Sequence, residues 1–417
     1  MKMHVARVEA AGLCTQCGTC AGVCPTAAVT MAWDRRGYRP CVDEAACTDC
    51  GACLAVCPGE SFDFADSAPW RGRCAGAPSP DFLGPWRGLW FGWAADPATR
   101  YAGASGGVAT AIVRAALEDG VPDGDGGRHA VDAVVCARVV PAAPLAAAPV
   151  LATDAEEVAA CRGSIYNAVA LNTALRHVRR TPGRYAYVGL PCHIEGLRLA
   201  QLRSRALRER VVFALGIFCG YTSEPRATEL AARRAGLDPR ELTAVSYRGP
   251  RWPGEMRLAT KSAGGRRRAY PDYFDRLMAA HTPPRCRLCP DALAELADVS
   301  VGDAWLARFI EDPAVADGVS DVVARTPAGL AFIEELAAEH LTLKAATPAE
   351  VVASQAETYR KKRLVLQGRR RLRALAGRPV PEYPGLALEP HLRHIVAGLG
   401  DLAEERFFRT VAALRYP

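Results

Sequence analysis

The chain has 417 residues, half of them apolar, with a formal net charge of +7 and 16 cysteines. That length exceeds what one hydrophobic core usually organises, so two or more domains are expected. A 7% aromatic content and modest charge do not fit a base-stacking nucleic-acid binder, and no run approaches the roughly 18 apolar residues of a membrane span.

No apolar signal core follows Met1, so a disulfide framework is not expected and the cysteines read as metal ligands or reactive thiols in a reducing, cytoplasmic setting. Arginine carries almost all the positive charge, with lysine only at positions 2, 261, 344, 361 and 362. The basic clusters Arg266–Arg268 and Lys361–Arg371 read as solvated surface. Their functional alternative is a docking face for an acidic redox partner or an anionic cofactor tail.

Cys14, Cys17, Cys20 and Cys24-Pro25 form a C-x2-C-x2-C-x3-C-P run, and Cys47, Cys50, Cys53 and Cys57-Pro58 repeat it. Three thiolates at a three-residue step wrap one cubane, while the fourth starts a helix aimed at the other cluster. The ligand sets are therefore crossed: Cys14, Cys17, Cys20 and Cys57 for one 4Fe–4S cluster, Cys47, Cys50, Cys53 and Cys24 for the second. Gly18 and Gly51 let backbone amides approach the sulfurs. A pair of zinc knuckles is the competing reading; the third cysteine, the trailing proline and the whole-unit repeat oppose it. Met31–Tyr38 reads as a small hairpin between the repeats.

Ser61 to Pro85 is rich in Gly, Pro and Ser and reads as a linker. Strand-like runs follow at Leu89–Trp93, Ala130–Val140, Tyr185–Gly189, Val211–Phe218 and Asp298–Val301. Several lead into helical patterns, at Val108–Glu118, Ile194–Ala206 and Pro225–Ala235. The alternation predicts a largely parallel α/β sheet. The stretches 122–127 and 141–149 read as surface loops. Ser105-Gly106-Gly107 precedes a helix and is suited to a ligand or to a plain tight turn. No G-x-G-x-x-G follows a strand, so a Rossmann nucleotide domain is not supported. The domain division is 1–60 ferredoxin-type, 61–85 linker, 86–335 catalytic body and 336–417 helical extension.

Cys192 and Cys219 end strands, where ligands of open α/β sheets gather, and Cys286-Arg287-Leu288-Cys289 adds a pair. Together they supply four ligands for a third 4Fe–4S cluster or a zinc, with buried core cysteines as the alternative. Cys41, Cys74, Cys136 and Cys161 show no ligand spacing and read as structural. His193, beside Cys192, is the candidate catalytic residue, as a proton donor or flavin contact, with a satisfied structural histidine as the alternative.

Seven ordered segments resemble the coenzyme F420 hydrogenase/dehydrogenase β-subunit family in its ferredoxin-fused form, which includes reductases of chlorophyll-type pigments. They are Ser105–Gly107, Arg162–Tyr166, Val188–His193, Phe218–Gly220, Cys286–Asp291, Ala297–Asp303 and Val323–Thr326. The resemblance spans roughly residues 1–335 and implies a non-Rossmann α/β body binding a flavin, usually FAD. It makes Ser105, Gly106, Gly107, Arg162, Gly163, Ser164 and Tyr166 flavin-contact candidates, and it matches Cys192, Cys219, Cys286 and Cys289 to a cluster in the body. Many relatives carry Gln at the position of His193, so no catalytic role transfers to it.

The expected function is an iron–sulfur flavoprotein oxidoreductase with reduced coenzyme F420 as hydride donor or acceptor. Arg248, Arg251 and Arg266–Arg268 are candidates for its anionic tail. One alternative is a ferredoxin-fed reductase of an organic small molecule; another is an electron-relay subunit of a larger complex. No membrane span or nucleic-acid partner is expected, and a homo-oligomer is compatible with the sequence.

Overall fold

The structure, a computed structural model, describes residues 3–64, 82–141, 143–384, 386 and 392–415. In the N-terminal module Gly18 (φ 83°) and Gly51 (φ 68°) adopt left-handed backbone at the entrances of two short helices, Thr19–Val23 and Ala52–Ala55. Each helix carries the third cysteine of its run. Between them β1 (Val29–Asp34) and β2 (Gly37–Val42) pair antiparallel around Arg35-Arg36, the expected hairpin.

The body is built on strands β3 (Gly88–Ala94), β4 (Val121–Pro122), β5 (Arg128–His129), β6 (Ala133–Val140), β7 (Ala143–Ala152), β8 (Tyr185–Gly189) and β9 (Val211–Ile217). Then come β10 (Leu242–Ser246), β11 (Glu255–Thr260), β12 (Gly264–Ala269), β13 (Val299–Asp303), β14 (Ser320–Ala324) and β15 (Leu341–Ala345). Eight of them form one sheet in the order β15-β3-β14-β13-β9-β8-β6-β7, and β10-β11-β12 form a separate antiparallel sheet.

Only the centre of the large sheet is parallel, through the pairs β6–β8, β8–β9 and β9–β13. β14, β3, β15 and β7 are added antiparallel. The fold is therefore mixed rather than largely parallel. Two expectations are corrected by these flanks. The stretch 141–149, read as a loop, contributes to β7; its prolines 144 and 149 are tolerated because β7 is an edge strand. The extension 336–417, read as helical, supplies β15, which pairs with β3 from Leu341↔Ala94 to Ala345↔Trp90.

Both sheet faces are covered. On one lie the helices Val108–Asp119 and Pro327–Leu336, packing Ile112, Phe332 and Ile333 onto Val299, Val322 and Phe213. On the other, Ile194 and Leu197 of the helix Pro191–Arg203 share a core with Val23, Val56, Phe62 and Phe64 of the N-terminal region. The module and body thus share one apolar core.

The predicted linker is anchored at both described ends. Phe62 and Phe64 donate backbone N–H groups to Glu382 and Pro384, and Phe82 and Leu83 are buried. Residues 65–81, with Cys74, lie outside the described residues. Arg325 holds the exit: fully buried, it donates to the carbonyls of Leu83 (3.0 Å), Pro85 (2.8 Å) and Leu293 (2.9 Å) and to Ser300 Oγ (2.9 Å). Hydrogen bonds from a charged donor are individually strong, and stranding buried acceptors is costly. Arg325→Met is expected to destabilise the body by about 3 kcal/mol, read as an earlier urea unfolding transition than that of the unchanged chain.

Candidate iron–sulfur relay and cofactor cavity

The fold brings the cysteines into three groups. Cys14, Cys17, Cys20 and Cys57 lie against one another; burial first, then the neighbouring thiols, pushes Cys14 and Cys20 up and takes Cys57 to about 12. Cys24, Cys47, Cys50 and Cys53 ring a small cavity near the surface, with Cys50 exposed. Cys192, Cys219, Cys286 and Cys289 ring another. The groupings follow from the two short helices: Cys20 and Cys53 lie on them, while Cys24 and Cys57 sit just beyond their ends and turn toward the opposite group.

Four buried thiols cannot ionise together without positive charge among them, and a bound metal core supplies that charge. Among the described residues no three His, Cys, Asp or Glu side chains form a group that could hold a metal ion. The second and third groups each line a small cavity, and four thiol donors per group match the ligand count of a cubane. The donor sets therefore fit 4Fe–4S clusters.

The third group lies at the seam between module and body. Thr15 of the module forms part of its wall, and the thiol of Cys17 acts electrostatically on Cys192. Two buried cations adjoin it. Arg285 donates to the carbonyls of Gly59 and Pro58, each at 2.8 Å, just past Cys57. Lys362 lines the cavity; burial alone would lower its pKa, but Cys289, Cys219 and Cys286 raise it. Thr222 Oγ1 lies 3.3 Å from the sulfur of Cys286. Neither cation was singled out from sequence, and Lys362 belongs to a stretch read as solvated. It and Arg363 are instead buried, with Arg363 donating to the carbonyl of Pro290 at 2.6 Å.

Beyond this seam a cavity of about 690 Å³ opens at the C-terminal ends of β8 and β9 and beside β13, a size usual for cofactor sites. Ser105, Gly107, Arg162, Gly163, Ser164 and Tyr166 all line it. Gly106 does not; its backbone packs on Gly318, whose carbonyl a Cβ would meet at 2.8 Å. Along one wall Tyr221 stacks on Phe274 at 5.7 Å and Tyr270 on Trp305 at 5.2 Å. The guanidinium of Arg248 is held by Asp303 at 2.6 and 2.8 Å and donates to the Ala104 carbonyl at 2.7 Å. Of the basic residues considered for an anionic tail, Arg248 reaches the cavity but is already neutralised, Arg251 pairs with Asp317 at 3.6 Å, and Arg266–Arg268 lie on β12, outside the lining.

His193 lines both the third cysteine cavity and the large one. Its Nδ1 accepts from the Leu190 amide at 3.1 Å and its Nε2 faces the Val169 carbonyl at 2.9 Å. Burial lowers its pKa to about 4, so the ring is neutral with its proton on Nε2. With both nitrogens held by backbone, it is a spacer, and no proton transfer is assigned to it. Cys219, Leu190, Tyr221 and Thr222 also belong to both walls.

Paired cysteine runs packed on an α/β body with a cofactor-sized cavity define an iron–sulfur oxidoreductase architecture. Residues 13–61 match the 4Fe-4S dicluster domain. Residues 89–176 match the N-terminal part, and residues 183–349 the C-terminal part, of the coenzyme F420 hydrogenase/dehydrogenase beta subunit. The chain belongs to this family. The coenzyme F420 hydrogenase subunit beta of Methanosarcina barkeri (strain Fusaro / DSM 804) is 27% identical over 264 residues, covering 57% of this chain and 82% of the relative. A chain from a xenon-derivatised structure of the F420-reducing NiFe hydrogenase complex of Methanosarcina barkeri shares the fold. Its TM-score is 0.55 at 21% identity, covering 71% of this chain and 96% of that one.

Arg285 ties the module to the body through two carbonyls. Arg285→Gln is expected to speed hydrogen exchange of the amides around Cys57–Ser61 by tenfold or more, since each bond from a charged donor contributes about 1.5–3 kcal/mol; unchanged exchange would remove its clamping role.

Proposed function

We propose that the chain is an iron–sulfur flavoprotein oxidoreductase that moves electrons between its surface and a flavin, FAD, in the large cavity, with coenzyme F420 as the hydride donor or acceptor. The observation that carries the reading is the shared wall: Cys219, in the third cysteine group, also lines the cavity. The route runs from the group containing exposed Cys50, through Cys14, Cys17, Cys20 and Cys57, to Cys192, Cys219, Cys286 and Cys289, each group a 4Fe–4S site.

A bound flavin accepts two electrons as hydride and releases them singly, matching one-electron clusters. The protein's part is positional. Gly107 and Gly163, with φ of 76° and 93°, leave the cavity wall free of side chains where a cofactor approaches. Arg162 is exposed at the wall, and the Arg248–Asp303 pair fixes the aromatic side. His193 and Leu190 complete, with Cys219, the wall that the third group and the cavity share.

Two other readings each have an observation in their favour. The aromatic wall suits a planar organic substrate reduced with electrons from ferredoxin. The exposed Leu392, Val396, Leu399, Phe407 and Leu414 of the last helix suit a relay subunit buried in a larger complex.

The test is anaerobic addition of reduced coenzyme F420 to the purified chain, following flavin and cluster absorbance. Rapid bleaching is expected; prompt reduction by ferredoxin without any by F420 would overturn the F420 assignment, and no turnover without added subunits would favour the relay. About twelve irons per chain are expected from three clusters, and about eight after Cys219→Ser. Eight in the unchanged chain would remove the third cluster.

A further inference from the structure

Two cysteines outside the three groups share the wall of the large cavity. Cys136 lies on β6 and is buried; Cys161 directly follows the helix Ala155–Ala160 and is half-buried. That helix turns Val158 into the apolar cluster that contains Cys136, and Cys161 packs against the same cluster. Both cysteines line the cavity, and Cys161 directly precedes Arg162-Gly163-Ser164, the segment assigned above to the flavin. Each thiol acts more strongly than any other group on the ionisation of its neighbour.

We propose that Cys136 and Cys161 form a redox-active dithiol that exchanges two electrons with a flavin held in this cavity. This rests on the flavin reading given above. Oxidation joins the two sulfurs. Counted from two thiols, two electrons and two protons leave: the electrons and one proton go to the oxidised flavin, and the second proton goes to solvent. Reduction breaks the sulfur–sulfur bond and reverses each transfer. The couple gives the cavity a two-electron store beside clusters that carry one electron each.

The chemistry of the pair is unequal in the way thiol exchange requires. The neighbouring Cys136 favours the thiolate of Cys161, against the effect of burial and with help from Arg138. Its neighbour Cys161, and then burial, push the thiol of Cys136 up. Cys161, half-buried where Cys136 is buried, is the attacking sulfur and Cys136 its resolving partner.

The sequence makes the state of the pair readable. Cleavage after Arg128, Arg138 and Arg162 puts each cysteine alone in its own tryptic peptide, 129–138 and 139–162. Full-length, cluster-loaded protein would be split without oxygen. One half is oxidised with dichloroindophenol and the other reduced with photoreduced deazaflavin; both are denatured in iodoacetamide and mapped by mass spectrometry, and released flavin is measured on the same batch. The expected result is that the two peptides are joined in the oxidised half and both alkylated in the reduced half, a change of tenfold or more. Alkylation of both cysteines in both halves, with flavin present, would overturn the dithiol and leave the flavin reading standing. Absence of released flavin would overturn both. In a reductive titration at equal iron and flavin content, Cys161→Ser is expected to take up about two electrons fewer per chain; equal uptake would also overturn the proposal.

Discussion

A buried thiolate is an unfavourable charge, and this protein gathers such groups where module meets body. Burial pushes up the thiols of Cys192, Cys289 and Cys219, the last to about 12. The surroundings answer that cost in kind. Arg285 and Lys362 bring positive charge into the interior beside the sulfurs, and each sits where a second task is also met. Arg285 ties down the chain just after Cys57. Lys362 belongs to a helical segment whose next residue, Arg363, holds the Pro290 carbonyl. The residues that make the charge tolerable are thus also the ones that fix the seam.

Where the architecture was legible in sequence, a local rule covered it. The two cysteine runs, the left-handed glycines and the hairpin are set by spacing within a few residues. The central strands showed as apolar runs because sheet and helices cover both their faces. What escaped was decided by distant partners. β7 is an alanine- and proline-rich edge whose identity comes from pairing with β6. β15 follows a helical stretch and joins the sheet only by lying beside β3.

The site divides along the same line. Glycine, serine and tyrosine candidates spaced along the chain converge on one cavity, because strand ends and the turns after them share one end of the sheet. Gly106 was grouped with its neighbours, yet its contact is with Gly318, a backbone approach that spacing cannot reveal. His193 drew notice by adjacency to a cysteine, whereas its environment leaves it neutral and fully engaged. Lys362 sat in a basic run that resembles surface; its one sequence signal is that lysine is scarce in a chain that otherwise uses arginine.

The apolar core shared by Val23, Phe62 and Phe64 with Ile194 and Leu197 has a consequence for how the protein is made. The third cysteine group draws its wall from Thr15 at one extreme and Lys362 at the other, so it is complete only when residues more than three hundred positions apart have met. On the function proposed above, a cluster held there would have to be in place before the module and body close over it. Closing the seam and completing that site are then one step, because neither end of the chain can supply its share of the wall alone.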